Sequence, residues 1–228
     1  MKKLSILFFF IFLSSVIFAG DVAHFVNLGF SPNGNYLLFG EYGIDASIQE
    51  AYANMWLVDV KKNNFVKGGV FGGRYKTVIE PGESSVGALL KLITQGSNNI
   101  SKYKIDFLDQ GRPLYVRIND NDNINSLDFR DFASGLRYRL NLDKKVREIS
   151  GSFYSSFKID LETIDQNGKS RKYSIGNPSF ERKNIKDYKI ERILHSSKGD
   201  NIVVVISKSV VDGDSINIRY MVETISLK

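Results

Sequence analysis

Few side chains in this chain are equipped to do chemistry, and their spacing argues against most reactions. Two histidines are present, His24 and His195, and there is no cysteine. A metal centre built on several imidazoles or thiolates, catalysis through a thiolate, and disulfides are therefore excluded. Each histidine sits in, or at the end of, a strand-like run leading into a turn, where a satisfied or exposed imidazole is the ordinary reading. A Ser-His-Asp arrangement through His195 would lack the Gly-x-Ser-x-Gly elbow that presents such a serine. Gly168-Lys169-Ser170 ends like a phosphate-binding loop, yet Thr163 stands where the first glycine belongs and a hairpin is expected to follow instead of a helix. Residues 119–123 are rich in oxygen ligands and invite a calcium reading. As a loop starting at Asp120, however, they put Ile124, Asn125 and Asp131 where an acidic or amide residue, a glycine and a glutamate are required. No metal, no cofactor and no catalytic set is expected.

What remains is a set suited to recognition. Glu41, Tyr42, Asp45 and Tyr52 lie in one half of the chain, and Asp212, Asp214, Arg219 and Tyr220 in the other. Aromatic rings beside carboxylates and an arginine fit a polar polymer or a peptide. The alternative chemistry is hydrolysis of an envelope polymer by Glu41 and Asp45, which requires the two carboxyls about 5–10 Å apart. The plain reading is a solvated loop rim with tyrosines packing on strands. The eight residues can form one site only if the two halves bring equivalent loops together.

The elements are mostly strands. Alternation and turn signals predict strands over 23–30, 35–42, 55–60, 112–119, 127–132, 136–142, 157–164, 171–175, 189–194, 201–207 and 216–225. Ser31-Pro32-Asn33-Gly34 and Asn167-Gly168 are strong turns, because proline fixes φ and Asn-Gly tolerates positive φ. The glycine pairs at 68–69 and 72–73 read as a bend. Polar loops are expected over 43–54 and 209–215. One helical insertion interrupts the strands near residues 83–104, with Val86, Leu89, Leu90 and Ile93 on one apolar stripe between Pro81-Gly82 and Gly96. The fold class is mainly β, antiparallel, in hairpin units.

The first residues carry an address. Lys2 and Lys3 precede an apolar run over 4–18 that closes on the small residue Ala19, the pattern of a signal peptide cut after Ala19 or Gly20. At about 15 residues the run is short for a membrane span, which takes about 20. Without cysteine there is no lipid attachment at the cut. Residues 20–228 then form a single mainly β domain that is exported, to the periplasm or beyond, with no transmembrane segment after cleavage. Net charge is +6, and the lysines are scattered. The densest run, 169–189, reads as a solvated face, and no nucleic-acid motif accompanies it. The sequence carries no signal for oligomeric state.

Two resemblances organise these readings. Ser31-Pro32-Asn33-Gly34-Asn35-Tyr36-Leu37-Leu38-Phe39 matches Ser196-Ser197-Lys198-Gly199-Asp200-Asn201-Ile202-Val203-Val204 in turn spacing and apolar pattern. This resembles the Ser-Pro-Asp-Gly-Lys turn of TolB-type, WD-like β-propeller repeats, over residues 28–60 and 190–225. It implies blade-like units, against the alternative of two ordinary hairpins. The run Asp21-Val22-Ala23-His24-Phe25-Val26-Asn27-Leu28-Gly29-Phe30 into that first turn, with Glu41-Tyr42-Gly43, looks like a family of predicted secreted bacterial proteins of unknown function. So does the segment 188–220, with Ile190-Glu191-Arg192 and Arg219-Tyr220. That resemblance implies export, one domain and a mostly β fold, and brings no activity with it. The expectation is a non-catalytic binding or scaffolding protein that meets a cell-envelope protein or polymer. A structural envelope component is the second choice.

Overall fold

The computed structural model describes residues 20–45, 48–79, 83–119 and 124–227. The expected signal at 1–19, the helix-start residues Pro81 and Gly82, and residues 120–123 of the oxygen-rich loop lie outside them. Over the described residues the fold is mainly β and antiparallel, in three sheets. The first takes β1 (His24–Phe30), β2 (Tyr36–Asp45), β3 (Glu50–Asp59) and β4 (Asn64–Lys76) in sequence order. Helices α1 (Val86–Gln95) and α2 (Ser97–Lys102) follow, then β5 (Arg112–Val116). The second sheet is built from β6 (Ser126–Arg130), β7 (Arg137–Ile149) and β8 (Ser152–Ile164), with β9 (Ser170–Ile175) and β10 (Arg182–Lys183) both paired to β8. The chain then returns to β5, completing a third sheet with β11 (Ile185–His195), β12 (Asn201–Asp212) and β13 (Ser215–Ser226) in the order β5-β11-β12-β13.

The sheets stack in layers, and the third lies in the middle. On β12, Val203 and Val205 pack against Phe30, Leu37, Phe39 and Val58 of the first sheet. The alternate residues Ile202, Val204 and Ile206 pack against Leu140, Phe157, Ile159 and Leu161 of the second. This explains the unbroken apolar run Ile202-Val203-Val204-Val205-Ile206: a strand buried on both faces has no reason to alternate. The far side of the first sheet is closed by α1, where Ala88, Leu89 and Leu92 meet Leu38, Ala53, Met55 and Leu57. Gly40 permits that docking, since a Cβ there would lie 2.7 Å from Leu89 Cδ1. The far side of the second sheet carries Asp128, Arg137, Arg139 and Asp160 in water, joined by ion pairs of Asp128 with both arginines. With helices at one end and a charged face at the other, the stack does not close on itself. Among the described residues, no helix is long and apolar enough to cross a membrane.

The two matched turns are neighbours. Each enters the second strand of a meander, β2 in the first sheet and β12 in the third. Asn201 Nδ2 donates to Gly34 O at 2.9 Å across them. In the first turn Ser31 Oγ accepts from Tyr36 N–H (3.0 Å) and donates to Asn33 Oδ1 (2.8 Å). In the second, Ser196 Oγ donates to Lys198 O (2.8 Å). Gly34 and Gly199 close their turns at φ of 69° and 76°, which glycine adopts without penalty.

Four details differ from the sequence reading. The glycine-rich stretch at 68–73 is no bend. It runs inside β4, where 70–73 pair with β3 and residues 66–69 bulge opposite Leu57, with Gly68 at φ +71°. The expected loop at 43–54 shrinks to a tip between Asp45 and Glu50, because Gly43 pairs with Tyr52 and accommodates its ring. The loop at 209–215 likewise becomes strand, leaving Gly213 and Asp214 between β12 and β13. On α1 the buried stripe is Ala88, Leu89 and Leu92, while Val86 and Leu90 are exposed. The stripe is rotated because the sheet meets the helix through Ala88 and Leu92, with Gly96 close to Met55 and Phe71.

Candidate functional site

One face of β2 and β3 forms rungs that change character along the strands. The paired residues Leu37↔Val58, Phe39↔Trp56, Glu41↔Asn54 and Gly43↔Tyr52 run from apolar through aromatic to polar. Phe39 and Trp56 stack with ring centroids 4.9 Å apart. Opposite them stands β13, the edge strand of the third sheet, presenting Arg219, Tyr220 and Val222. The site is the seam between these two surfaces.

Glu41 bridges the seam. One carboxylate oxygen accepts from the Tyr220 backbone N–H at 2.7 Å, and the other accepts from Asn54 Nδ2 at 3.1 Å. Glu41 is only 2% exposed. Burial pushes its carboxyl above the ordinary value, opposed by the Tyr220 bond and the Lys208 charge. Burial also pulls Lys208 below its ordinary value, opposed by Glu41 and reinforced by the charges of Arg182 and Arg219. A buried charge is costly unless paired and hydrogen-bonded, and Glu41 meets that condition through its two donors.

On one side of the bridge lies a cluster around Asp21. Asp21 pairs with Arg219 at 2.9 Å, and Arg219 lies over the Tyr52 ring at 4.6 Å. Residues 21–23 run along β13, with Ile218 N–H donating to Asp21 O (2.8 Å) and Ala23 N–H to Ile218 O (3.1 Å). Burial and the neighbouring Asp21 carboxylate push the Tyr52 hydroxyl far above its usual range. An opening of about 430 Å³ is lined here by Tyr52, Asn54, Gly72, Gly73, Arg74 and Arg219. Glycine at 72 helps keep it open, since a Cβ would lie 2.9 Å from Asn54 Oδ1.

On the other side lies an aromatic cavity of about 360 Å³. Phe39, Trp56, Phe65, Phe180 and Tyr220 form its walls, drawn from β2, β3, β4, the segment before β10, and β13. Arg182, Lys208, Asn63 and Glu223 supply its polar groups. The Arg182 guanidinium sits over Phe180 at 4.9 Å and Phe157 at 5.1 Å, an arrangement that holds its plane by cation–π contact. Glu223 accepts from Asn63 Nδ2 and lies 3.7 Å from Arg182 Nη2.

Of the eight residues singled out in the sequence, the structure brings Glu41, Tyr52, Arg219 and Tyr220 together. Asp45 stands at the margin, paired with Arg74 at 2.7 Å. Tyr42 points to the opposite face of β2 and stacks on His24 at 5.1 Å, because neighbours on a strand alternate in direction. Asp212 and Asp214 sit exposed at the tip of the β12–β13 hairpin, away from the seam. The sequence reading missed Trp56, Phe39, Asn54, Lys208, Arg182 and Asp21. A signal existed for some. Trp56 is the single tryptophan, and Glu41 falls in phase with Leu37 and Phe39, where a carboxylate must be buried. The charge run 169–189 is solvated at Lys169, Arg171, Lys172, Lys183 and Lys186, yet its member Arg182 is half-buried at the cavity. Nothing local distinguishes that arginine.

The family model described as predicted secreted protein (DUF2259) matches residues 38–226. This chain belongs to the DUF2259 family. The family's description agrees with export. Within the DUF2259 protein the matched span covers the seam from Phe39 to Glu223 and leaves out Asp21 and the first turn. No curated protein and no solved structure matches the chain.

Proposed function

We propose that this DUF2259 protein is an exported, non-catalytic binding protein that takes a polar ligand from the cell envelope, a polymer segment or a peptide, in the seam between β3 and β13. One observation carries the reading. Five aromatic rings from separate elements converge on a cavity of about 360 Å³ that also presents charged and amide groups. Such an apolar cavity with a few placed polar groups is the usual form of a ligand site. A hydrolytic role for Glu41 and Asp45 fits the geometry less well. Both oxygens of Glu41 are engaged in the bridge, and Asp45 is held by Arg74. A purely structural role would give no reason for the open cavity beside the bridge.

The single tryptophan makes the test direct. Trp56 lines the cavity, so a bound ligand alters its emission. Fragments of envelope polysaccharide and of envelope peptides should shift or quench that emission saturably, and Tyr220→Ala should weaken the effect at least tenfold. Absence of any saturable change with every fragment pool, at millimolar concentration, would remove the proposal.

A further inference from the structure

The donors and acceptors of the aromatic cavity are not balanced, and the imbalance has a sign. Glu223 is engaged by Asn63 and faces Arg182, and Glu41 is occupied on both oxygens. The basic groups are engaged less fully: Arg182 has Glu223 at 3.7 Å and two rings beside it. Arg182 Nη1 is buried with no hydrogen-bond partner among the described residues. The Lys208 ammonium feels the Glu41 charge but has neither a hydrogen bond nor an ion pair among the described residues, and it lines the same cavity. A buried N–H without an acceptor is costly, more so on a charged group. The Arg182 and Arg219 charges also act on Lys208 in the sense of disfavouring its ammonium. An acceptor carrying negative charge, placed between Arg182 and Lys208, would give the Lys208 ammonium a partner and relieve the repulsion.

The walls define the rest of the ligand. Trp56 and Phe39 are stacked on each other, and Tyr220 and Phe65 add further ring surface. The volume is near the lower end of the usual range for ligand pockets, about 300–1,000 Å³, and so matches a single ring with a substituent. We infer that the cavity binds a monosaccharide-sized ring bearing a carboxylate or a phosphate, with Arg182 and Lys208 holding the anionic group and Trp56 lying against the ring. This rests on the binding reading above and names the ligand class for the same cavity.

The experiment compares glucuronate, glucose 6-phosphate, glucose and glucosamine as probes, titrated into the full protein and read by Trp56 emission and calorimetry. At least one anionic probe should bind ten times more tightly than glucose, and glucosamine more weakly than either anion. The two anionic arms separate carboxylate from phosphate as the preferred group. Lys208→Met and Arg182→Met should each lower anion affinity at least tenfold and lower glucose affinity by far less, with a retained cooperative urea transition confirming the fold. Added salt should weaken the anions and not glucose. Equal affinity for all four probes would overturn the anion inference and leave the binding reading intact. Silence from all four, while larger envelope fragments still bind, would overturn the single-ring inference alone. Silence from probes and fragments together would overturn both.

Discussion

Replacing Glu41 by alanine cuts the bridge that joins the first sheet to β13. The substitution leaves the Tyr220 N–H and the Asn54 amide without their acceptor at a position only 2% exposed. Each orphaned donor costs about 1–3 kcal/mol, so after relief of the buried charge a net loss of about 2–4 kcal/mol is expected. Glutamine is the informative control. Its carbonyl can keep the Tyr220 bond while Asn54 turns its amide, and the charge burial it removes offsets the stronger bonds it loses. Its cost at neutral pH should stay below about 1 kcal/mol. Urea unfolding followed by Trp56 emission reads both. With a slope of about 2 kcal/mol per molar urea, alanine lowers the midpoint by about 1–2 M and glutamine by less than about 0.5 M. The pH dependence supplies a sign. Burial raises the Glu41 carboxyl above its ordinary 4.5, so the folded state favours the protonated form. The stability it contributes is full below that ordinary value and lost as pH rises through the raised one. Glutamine has no such titration, so wild type minus glutamine should be largest in acid and shrink as pH climbs. An alanine midpoint within about 0.3 M of wild type, or a difference that widens with pH, would refute the bridge as described.

Other perturbations test the frame around the seam. Asp131 accepts a bidentate pair from Arg112 and further bonds from Ser134 and the Ala133 N–H, and Arg112 beside it holds its carboxyl well below the usual range. Its contribution is present above the unfolded value of 3.8 and lost as pH falls through the lowered one. Asp131→Asn should therefore cost about 1–2 kcal/mol near neutrality and flatten the acid limb of a thermal-unfolding profile, an effect absent if the pair is idle. Leu92 is fully buried between α1 and the first sheet, so Leu92→Ala should cost about 2–5 kcal/mol. Hydrogen exchange should then rise across 86–102 while β11 and β12 stay protected, and uniform loss of protection would contradict the layered account. Asp212→Ser and Asp214→Ser, at the exposed hairpin tip, should change stability by less than about 0.5 kcal/mol and leave Trp56 titrations unaltered. A lost ligand response in either variant would place the site elsewhere.

Much of the strand content was legible because its signals are local. The turns at Ser31–Gly34 and Ser196–Gly199 depend on glycine at positive φ and on serine hydroxyls reaching nearby backbone. The compact run Met55-Trp56-Leu57-Val58 reads as a strand wherever it packs. Errors arose where the deciding contact is distant. Gly72 and Gly73 look like a bend until β3 supplies a ladder for them. The buried stripe of α1 turns on which residues meet Met55 and Leu57, and helical spacing alone admits two neighbouring stripes. Residues 43–45 and 209–212 look like loops by composition, but a partner strand holds them extended. Within the candidate site, Glu41 and Tyr220 were singled out from opposite ends of the chain, while their bond is a backbone N–H to carboxylate contact that no side-chain pattern announces.

By itself the sequence determined the chemistry this protein lacks: thiolate, disulfide and multi-histidine metal sites all need residues that are absent. It also determined the antiparallel β character and the matched turns, since periodicity and turn chemistry act over a few residues. The tertiary structure alone decided that β2 and β13 face each other, that Arg182 leaves a solvated run to enter a cavity, and that Tyr42 turns away from it. Those outcomes depend on which sheet covers which face. That choice is made by burial summed over the whole stack, and no single stretch of residues encodes it.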